Sequence, residues 1–384
     1  MNRILVAGAG PVGLTAALAL ARRGFPVTVL ESGDGLAAES RASTFHPPTL
    51  EMLDELGVGD ELHARGLISP TFAYRDRTEG LIAMLDLTVL AGETRFPYRL
   101  QCEQSKLTPI LRDHLVRHEG CEVRFGWHVD GVIQDDTGVT VHSTDGRAIA
   151  GSWLIGADGA HSSTRRAVGA AFDGITYPER FLVASVDEPL ESWLDDLAAV
   201  NYVFDPVEWC VLLRTPDHWR VLLPTPAETA DEAEYARLDD RLRGVHDPGR
   251  PWRVAHASMY RVHQRVAASF RIGRVLLAGD AAHVNNPLGG LGMNSGIHDA
   301  IAYAAALATG SDEAVTAAAR DRRRIAMEYV QSVSHQNYER LRATDPQARA
   351  AHLDGLRATA ADPALARASL LRSSMIASLR PVAA

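Results

Sequence analysis

Cysteine is scarce in this sequence of 384 residues. The three cysteines, Cys102, Cys121 and Cys210, lie far apart and form no Cys-x-x-Cys pair. A disulfide framework and a zinc ribbon are therefore not expected, and a reducing, cytoplasmic location is favoured. His114 and His118 have the spacing of a metal-binding pair on a helix, but no third ligand accompanies them, so we expect no metal site.

Lysine is rarer still, because Lys106 is the single lysine among 39 basic residues. A phosphate-binding loop of the Gly-x-x-x-x-Gly-Lys type needs a lysine directly after its glycines, and none stands there. The chain also carries 48 acidic residues, so its formal net charge is −9. This balance argues against nucleic acid as the main partner, since phosphate binding requires clustered positive charge.

One uncharged and mostly apolar stretch, from Ile4 to Ala21, has the length of a membrane span. Three glycines and a proline interrupt its middle and are better explained as a binding loop, so we expect no membrane span. Hydrophobic residues make up 46% of the chain and charged residues 23%, which is typical of globular proteins. The length is sufficient for about two domains.

The first thirty residues contain a dinucleotide-binding pattern. A short apolar strand at 4–7 precedes a Gly-x-Gly-x-x-Gly motif. A helix rich in Ala and Leu follows the motif, and a second strand at 27–30 comes after the helix. The motif consists of Gly8, Ala9, Gly10, Pro11, Val12 and Gly13. In such a loop the glycines permit a tight turn, close approach of a pyrophosphate and close helix–strand packing. Glu31, which ends the second strand, is placed to accept ribose hydroxyls.

Two later motifs have the same strand-then-loop form. A strand leads into Gly-Ala-Asp-Gly at 156–159, which contains Asp158 and is followed by Arg165. Another strand ends in Gly279 and Asp280, then continues through Pro287 to a glycine-rich loop and a helix that extends to Leu307. Taken alone, either aspartate could equally cap the turn or helix that follows it.

These three motifs in this order resemble the class A flavoprotein monooxygenases, the para-hydroxybenzoate hydroxylase-like family. The resemblance spans residues 4 to 300, and Gly-Asp-Ala-Ala-His-x-x-x-Pro-x-Gly-Gly-x-Gly-x-Asn is its most specific part. It implies an α/β fold with a Rossmann-like FAD-binding domain, a β-sheet substrate domain and a C-terminal helical segment. The implied order is 1–70, 99–175 and 268–310 for FAD binding, 71–98 and 176–267 for the substrate domain, and 311–384 for C-terminal helices.

The resemblance also implies which residues bind FAD. Asp280 resembles the residue that binds the ribityl hydroxyls, and Pro287 the proline beside the reacting edge of the flavin. Asp158 and Arg165 match a motif that contacts both FAD and NAD(P)H. Arg41 resembles an arginine near the pyrophosphate, with a solvated surface charge as the less favoured alternative, and Gln104 resembles a glutamine beside the ribityl chain. The loop at the pyrimidine edge of the flavin would consist of Gly289, Gly290, Leu291, Gly292, Met293 and Asn294.

The middle of the chain predicts a β-hairpin, with a turn at Thr215-Pro216-Asp217 between two strands. Alternation along the first strand places Trp209, Val211 and Leu213 on one face. The residues proposed for the substrate wall are Tyr202, Trp209, Val211, Arg220 and Leu222. The aromatics among them could also be core residues.

Two side chains of this region are candidates for catalysis together with Pro287. Arg220 would suit an anionic substrate such as a carboxylate or phenolate, although an exposed strand charge is an equal alternative. His46, just before a helix, could act as a base or hydrogen-bond partner of the substrate, or could have a structural role at the start of the helix.

The implied activity is an FAD-dependent monooxygenase that hydroxylates a phenolic or heteroaromatic small molecule. In the implied cycle NADPH or NADH reduces non-covalently bound FAD, O2 adds at flavin C4a, and the resulting hydroperoxide attacks the ring. A monomer or homodimer is expected. The alternatives are an oxidase or reductase on the same scaffold and a non-catalytic FAD-fold binding protein.

Overall fold

The computed structural model describes residues 3–38 and 42–380. The strands are β1 (Ile4–Ala7), β2 (Val27–Leu30), β3 (Thr44–Phe45), β4 (Leu67–Ser69), β5 (Thr71–Asp76), β6 (Gly80–Asp86), β7 (Arg99–Gln101), β8 (Glu122–Arg124), β9 (Val129–Gln134), β10 (Val139–Ser143), β11 (Ala148–Gly151), β12 (Trp153–Gly156), β13 (Phe172–Val186), β14 (Val200–Phe204), β15 (Cys210–Arg214), β16 (Trp219–Pro226), β17 (Val254–Ala267), β18 (Arg271–Ile272), β19 (Val275–Leu277) and β20 (His283–Val284).

The helices are α1 (Pro11–Ala21), α2 (Pro47–Glu55), α3 (Gly59–His63), α4 (Gln104–Leu115), α5 (Ser163–Ala167), α6 (Asp231–Ala236), α7 (Leu238–Arg243), α8 (Gly292–Ala308), α9 (Asp312–Ile325), α10 (Ser332–Leu341), α11 (Pro346–Ala361) and α12 (Pro363–Ser373). A π-helical turn at Ala326–Gln331 joins α9 to α10. Among the described residues, no helix is both long and apolar enough to cross a membrane.

A six-stranded sheet with the order β18-β19-β12-β1-β2-β8 forms the first layer. Every neighbouring pair in it is parallel except β18 and β19. Strands β1 and β2 are buried along their whole length, as expected for continuous apolar runs inside a parallel sheet. The carboxyl ends of β12, β1 and β19 therefore meet at one edge, where ligands of such sheets bind.

An eight-stranded sheet with the order β20-β17-β13-β16-β15-β14-β5-β6 forms the second large unit. Its strands come from residues 71–86 and from residues 172–284. Smaller sheets, β11-β10-β9 and β3-β7-β4, complete the strands of the described residues. The β3-β7-β4 sheet contributes Phe45 and Leu100 to the apolar core around the six-stranded sheet. Its strand β4 is followed directly by β5 of the eight-stranded sheet.

The C-terminal helices cover one face of the eight-stranded sheet. Tyr338 of α10, Leu353 of α11 and Leu370 of α12 share an apolar cluster with Phe72 and Phe181 of the sheet. The opposite face carries a separate apolar cluster that includes residues of α7. The predicted α/β architecture, with a Rossmann-like domain, a sheet domain and a helical C-terminal segment, is confirmed, whereas the domain boundaries stay predictions.

Local predictions from the sequence agree with the elements found. Helix α1 begins with Pro11 in its first turn, where the missing N–H of proline costs nothing, and it ends at Ala21 before Gly24, whose φ is +83°. The predicted hairpin is β15 and β16, closed by a hydrogen bond of 2.8 Å from Thr215 N to His218 O.

Candidate active site

The glycine loop after β1 is packed as tightly as a dinucleotide-binding turn requires. Gly8 has a φ of +99°, and a Cβ there would lie 2.4 Å from the Ala157 carbonyl oxygen. A Cβ on Gly13 would lie 2.0 Å from the Gly8 carbonyl oxygen, so α1 can approach β1 only because this residue is glycine. Val12 packs against Gly279, and a Cβ on Gly279 would lie 2.9 Å from the Val12 side chain.

Gly10 differs from its neighbours, because no atom of the described residues lies within 4 Å of a Cβ built there. This open space adjoins the first turn of α1, which has Pro11 at its N-terminus and no acidic side chain. Free N–H groups and the positive end of the helix dipole favour an anion at this place. The loop therefore fits the pyrophosphate of FAD.

Glu31 follows β2 and joins two backbone segments. Its carboxylate accepts hydrogen bonds from Ala9 N, at 2.6 Å, and from Gly33 N, at 2.9 Å. These bonds hold the side chain beside the glycine loop, at the end of the second strand, where an adenosine ribose is bound in folds of this type.

The Asp-Gly motif after β12 is a capped turn. Asp158 accepts hydrogen bonds from the Ser162 hydroxyl and, at 2.9 Å, from Thr164 N, at the start of α5. Arg165 donates to Ala160 O and to Ala281 O, each at 2.9 Å, and its guanidinium lies 3.8 Å from the centre of the Phe172 ring. Arg165 thus joins this motif to the Gly-Asp motif, and direct contact of either side chain with FAD or NAD(P)H stays a prediction.

A buried ionic network holds the Gly-Asp motif. Asp299 of α8 accepts from Gly279 N at 3.1 Å, from Arg322 Nε at 2.6 Å and from His283 Nε2 at 2.8 Å. Burial raises the pKa of Asp299, but Arg322 and His283 outweigh it, so the pKa lies below its ordinary value. Asp280 itself is exposed on the one-turn 3₁₀ helix Gly279–Ala281, which suits a carboxylate that binds hydroxyls of a ligand.

The loop from Pro287 to α8 is shaped by two glycines in left-handed conformations, Gly289 at φ +107° and Gly290 at φ +67°. Asn294 of α8 ties it to β3, since its Nδ2 donates to Thr44 O at 2.8 Å and to Gly290 O at 2.7 Å. Gly292, Met293 and Asn294 form the first turn of α8, so the positive end of the helix dipole lies at this loop.

The side chain of Leu291 is turned into the protein, so only its backbone is left for the predicted flavin contact. It is fully buried in a small apolar cluster with Val330, Val333 and Met375. Gln104 is the first residue of α4, and Gln104 N donates to Ala42 O at 2.9 Å. Its contact with the ribityl chain stays a prediction. Arg41 lies outside the described residues.

His46 is fully buried and fixes the same loop from β3. Because Gly289 O can only accept, His46 Nε2 donates the hydrogen bond of 2.8 Å between them. Burial, followed by the charge of Arg99, lowers the pKa of His46 to about 3, so the ring stays neutral. His46 therefore has a clear positioning contact, and its role as a base stays a prediction.

The residues proposed for the substrate wall lie on one face of the eight-stranded sheet. Tyr202, Trp209 and Val211 belong to the same apolar cluster as Leu288, which directly follows Pro287, and Leu222 packs against it. The intervening residues Cys210 and Leu212 contact the opposite cluster, as the alternation of the hairpin predicts. The aromatic face is thus continuous with the loop at the expected flavin edge.

Arg220 pairs with Leu213 across the hairpin and lies on this face. Burial lowers the pKa of its guanidinium, and nearby Tyr260 and Glu103 act in the opposite direction. Glu103 in turn contacts Lys106 at 3.1 Å. Arg220 is therefore surrounded by groups that compensate part of its charge.

Sequence reasoning assigned no site role to two residues of this region, Arg99 and Tyr74, although it placed Tyr74 in the substrate-domain insert. Tyr74 stacks on Tyr202 with ring centres 5.5 Å apart, and Arg99 lies over Phe72. Arg99 stands in β7, and no local pattern indicates that β7 pairs with β3 and β4. Tyr74 stands in β5, which pairs with the distant strand β14. Only the folded arrangement shows that they border the aromatic face.

Comparison with known proteins agrees with this geometry. The family model described as "FAD binding domain" matches residues 1–333. Para-nitrophenol 4-monooxygenase of Pseudomonas sp. (strain WBC-3) is 36% identical over 363 residues, which cover 91% of this chain and 89% of that protein. 6-Hydroxy-3-succinoylpyridine 3-monooxygenase of Pseudomonas putida (strain DSM 28022 / S16) is 36% identical over 312 residues, covering 80% of this chain and 79% of that protein.

Among solved structures, p-nitrophenol 4-monooxygenase of Pseudomonas putida DLL-E4 superposes with a TM-score of 0.93 at 33% identity, covering 99% of this chain and 100% of that one. The match of fold, motifs and sequence extends over nearly the whole chain. The protein therefore belongs to the FAD-binding family of class A flavoprotein monooxygenases, and it is an FAD-dependent aromatic hydroxylase.

Proposed function

We propose that the protein hydroxylates a phenolic or heteroaromatic small molecule, with NADPH or NADH as electron donor and O2 as oxidant. The observation that carries this proposal is the aromatic face of the eight-stranded sheet, which packs in one cluster with Leu288 beside Pro287. A planar ring would lie between this face and the expected flavin edge, where aromatic side chains provide large apolar contact.

The substrates named for two relatives support this class. One relative is named for para-nitrophenol, a phenol, and another for a hydroxylated succinoylpyridine, a heteroaromatic ring. Both rings carry a hydroxyl group, whose oxygen donates electron density to the ring carbons ortho and para to it. Tyr74 and Tyr202 stack beside the same face, which suits a flat ligand of this kind.

When bound, FAD supplies the redox chemistry, accepting a hydride from NAD(P)H and activating O2 so that one oxygen atom is transferred to the ring. The chain orients the substrate and FAD, excludes water from the site and places charges near the flavin. The glycine loop with Gly10 would hold the pyrophosphate, Glu31 and Asp280 would accept hydrogen bonds from hydroxyl groups of FAD, and the start of α8 would stabilise negative charge at the pyrimidine edge. The C4a-hydroperoxide route stays a prediction.

His46 and Asn294 position the edge of this site. Neutral His46 holds Gly289 O, and Asn294 joins Gly290 O to Thr44 O, so the two glycines keep their left-handed conformations. A rigid loop in this place keeps the flavin edge at a constant distance from the substrate face, which orientation effects on rate require.

The experiment is a screen of phenols and hydroxypyridines with the FAD-loaded protein in two parts. Reduction of the flavin by NADH and by NADPH is followed by absorbance without O2, and NAD(P)H oxidation, O2 uptake and product mass are then measured in air. We expect at least one ring compound to be hydroxylated, with NAD(P)H oxidation and O2 uptake in equal amounts. NAD(P)H oxidation that yields only hydrogen peroxide with every compound would instead support an oxidase-type reaction. Flavin that stays oxidised throughout would support a binding protein.

A further inference from the structure

Arg99 is the first residue of β7 in the β3-β7-β4 sheet. One face of this sheet contacts the loop from Pro287 to α8, which is called the flavin-edge loop below. Thr44 pairs with Gln101 and Phe45 with Leu100, so the antiparallel register brings His46 opposite Arg99. The side chains of Thr44 and Gln101 are hydrogen-bonded at 2.8 Å, which shows that they share a face.

Alternation then places the side chains of His46 and Arg99 on this same face. It contacts the loop at two points, since Thr44 lies against Gly290 and His46 donates to Gly289 O. Phe45 and Leu100, on the other face, belong to the core of the FAD-binding domain. Arg99 is thus located between the flavin-edge loop and the substrate sheet.

Arg99 is only 2% exposed, and its guanidinium lies 4.1 Å from the centre of the Phe72 ring. Its buried Nε has no hydrogen-bond partner within residues 3–38 and 42–380. The other buried arginines of the site are compensated: Arg165 donates to two carbonyls, and Arg322 is paired with Asp299.

A buried cation without a partner is costly unless a ligand of opposite charge completes it. The contact with the Phe72 ring provides part of this compensation but no hydrogen-bond acceptor with a full charge. The titratable groups next to Arg99 do not provide it either. His46 is neutral, and burial, with Tyr202, raises the pKa of Tyr74 to about 12, so its hydroxyl stays protonated.

We propose that Arg99 is a specificity-determining residue that binds the anionic oxygen of the aromatic substrate, a phenolate or a ring carboxylate. The proposal rests on the proposed function of the site and deepens it by naming the charge of the substrate. It assigns to Arg99 the role that sequence reasoning gave to Arg220, whose charge is partly compensated by Glu103. A guanidinium forms paired hydrogen bonds with such an oxygen group and retains its charge at every working pH.

The test measures ligand binding to the oxidised, FAD-loaded protein, with no turnover, by difference absorbance of the flavin. The probes are 4-nitrophenol above its own pKa, as the phenolate, 4-nitrobenzoate, as the carboxylate, and 4-nitroanisole, as the neutral analogue. We expect Arg99→Met to raise the Kd of one anion about 10- to 100-fold, the loss of a charged hydrogen bond, and that of the neutral analogue less than about twofold. The anion that is affected identifies the substrate group.

Arg95→Met is the matched control, because Arg95 also stacks on a phenylalanine, Phe96, but is exposed and paired with Asp54. It should change no Kd. Arg99→Lys should recover part of the affinity for the anion, and Arg99→Gln replaces the methionine variant if that protein does not fold.

Three results would overturn the proposal: equal weakening of neutral and anionic probes by Arg99→Met, loss of FAD from the variant, or loss of anion affinity in Arg220→Met alone. Binding that depends on Arg99 without hydroxylation would refute only the proposed function. Hydroxylation of a phenol that is unchanged in Arg99→Met would refute only the present proposal.

Discussion

Replacing Arg322 by methionine tests whether the buried network positions the Gly-Asp motif. Asp299 is fully buried and accepts from Arg322, His283 and Gly279 N. Removing the arginine leaves this carboxylate with one cationic neighbour fewer, and breaking such a buried pair costs about 3–5 kcal/mol of unfolding free energy. For a chain of 384 residues the loss corresponds to a fall in Tm of roughly 4–6 °C.

The assay is chemical unfolding of the R322M protein with and without FAD, together with FAD affinity by fluorescence. FAD affinity should also fall, because Gly279 N loses its rigid acceptor when Asp299 moves or takes up a proton. Arg320→Met is the matched control on the same helix: its side chain is 77% exposed, its ion pair with Asp321 measures 3.9 Å, and it should be nearly neutral. An R322M protein within about 1 kcal/mol of the parent would refute the reasoning.

Two further predictions follow from glycine packing and from buried histidines. Gly10→Ala should keep the folding stability of the parent and bind FAD weakly. Gly13→Ala should lose both folding stability and FAD affinity, because of these two glycines only Gly13 meets protein atoms. Gly355→Ala, in an open helical position, should raise the unfolding free energy by about 0.5–1 kcal/mol in the same assay. A Gly10→Ala protein that binds FAD normally would contradict the site. Burial lowers the pKa of His46 and of His298 to about 3 from 6.5, so the stability that each neutral ring gives is complete above pH 6.5 and is lost as the pH falls toward 3. The slope of unfolding free energy against pH between about 4 and 6 should fall by about 1.4 kcal/mol per unit in His298→Gln, and an unchanged slope would contradict it.

Local patterns predicted much of the fold because they act over short distances. The glycine loop, α1 and β2 lie within about thirty residues, and Gly8 and Gly13 mark positions where a Cβ would collide with backbone atoms. The hairpin of β15 and β16 follows from its turn residues, and the faces of Trp209 and Val211 follow from alternation. The order of the strands in the eight-stranded sheet could not be read in this way, because β5 pairs with β14 across more than a hundred residues.

The candidate site shows the same division. Sequence motifs predicted the FAD residues, and those assignments stay predictions. The motifs could not show that Asp158 accepts from Thr164 N in the first turn of α5 or that Arg165 donates to Ala281 O. Those contacts join segments that are separate in sequence. The sequence did not indicate Arg99 for the same reason, because its role depends on residues that are distant along the chain. Arg99 is buried, lies over the Phe72 ring and has no carboxylate partner among the described residues. A buried cation is recognised only when burial is known.

The most direct test of the central claim is a reaction of the FAD-loaded protein with ¹⁸O2, NAD(P)H and a phenol that accelerates NAD(P)H oxidation, with mass analysis of the product. A flavoprotein aromatic hydroxylase with the substrate face described above should give a ring product that contains one ¹⁸O atom. A product with oxygen from water, or an unchanged phenol with ¹⁸O only in hydrogen peroxide, would contradict the account.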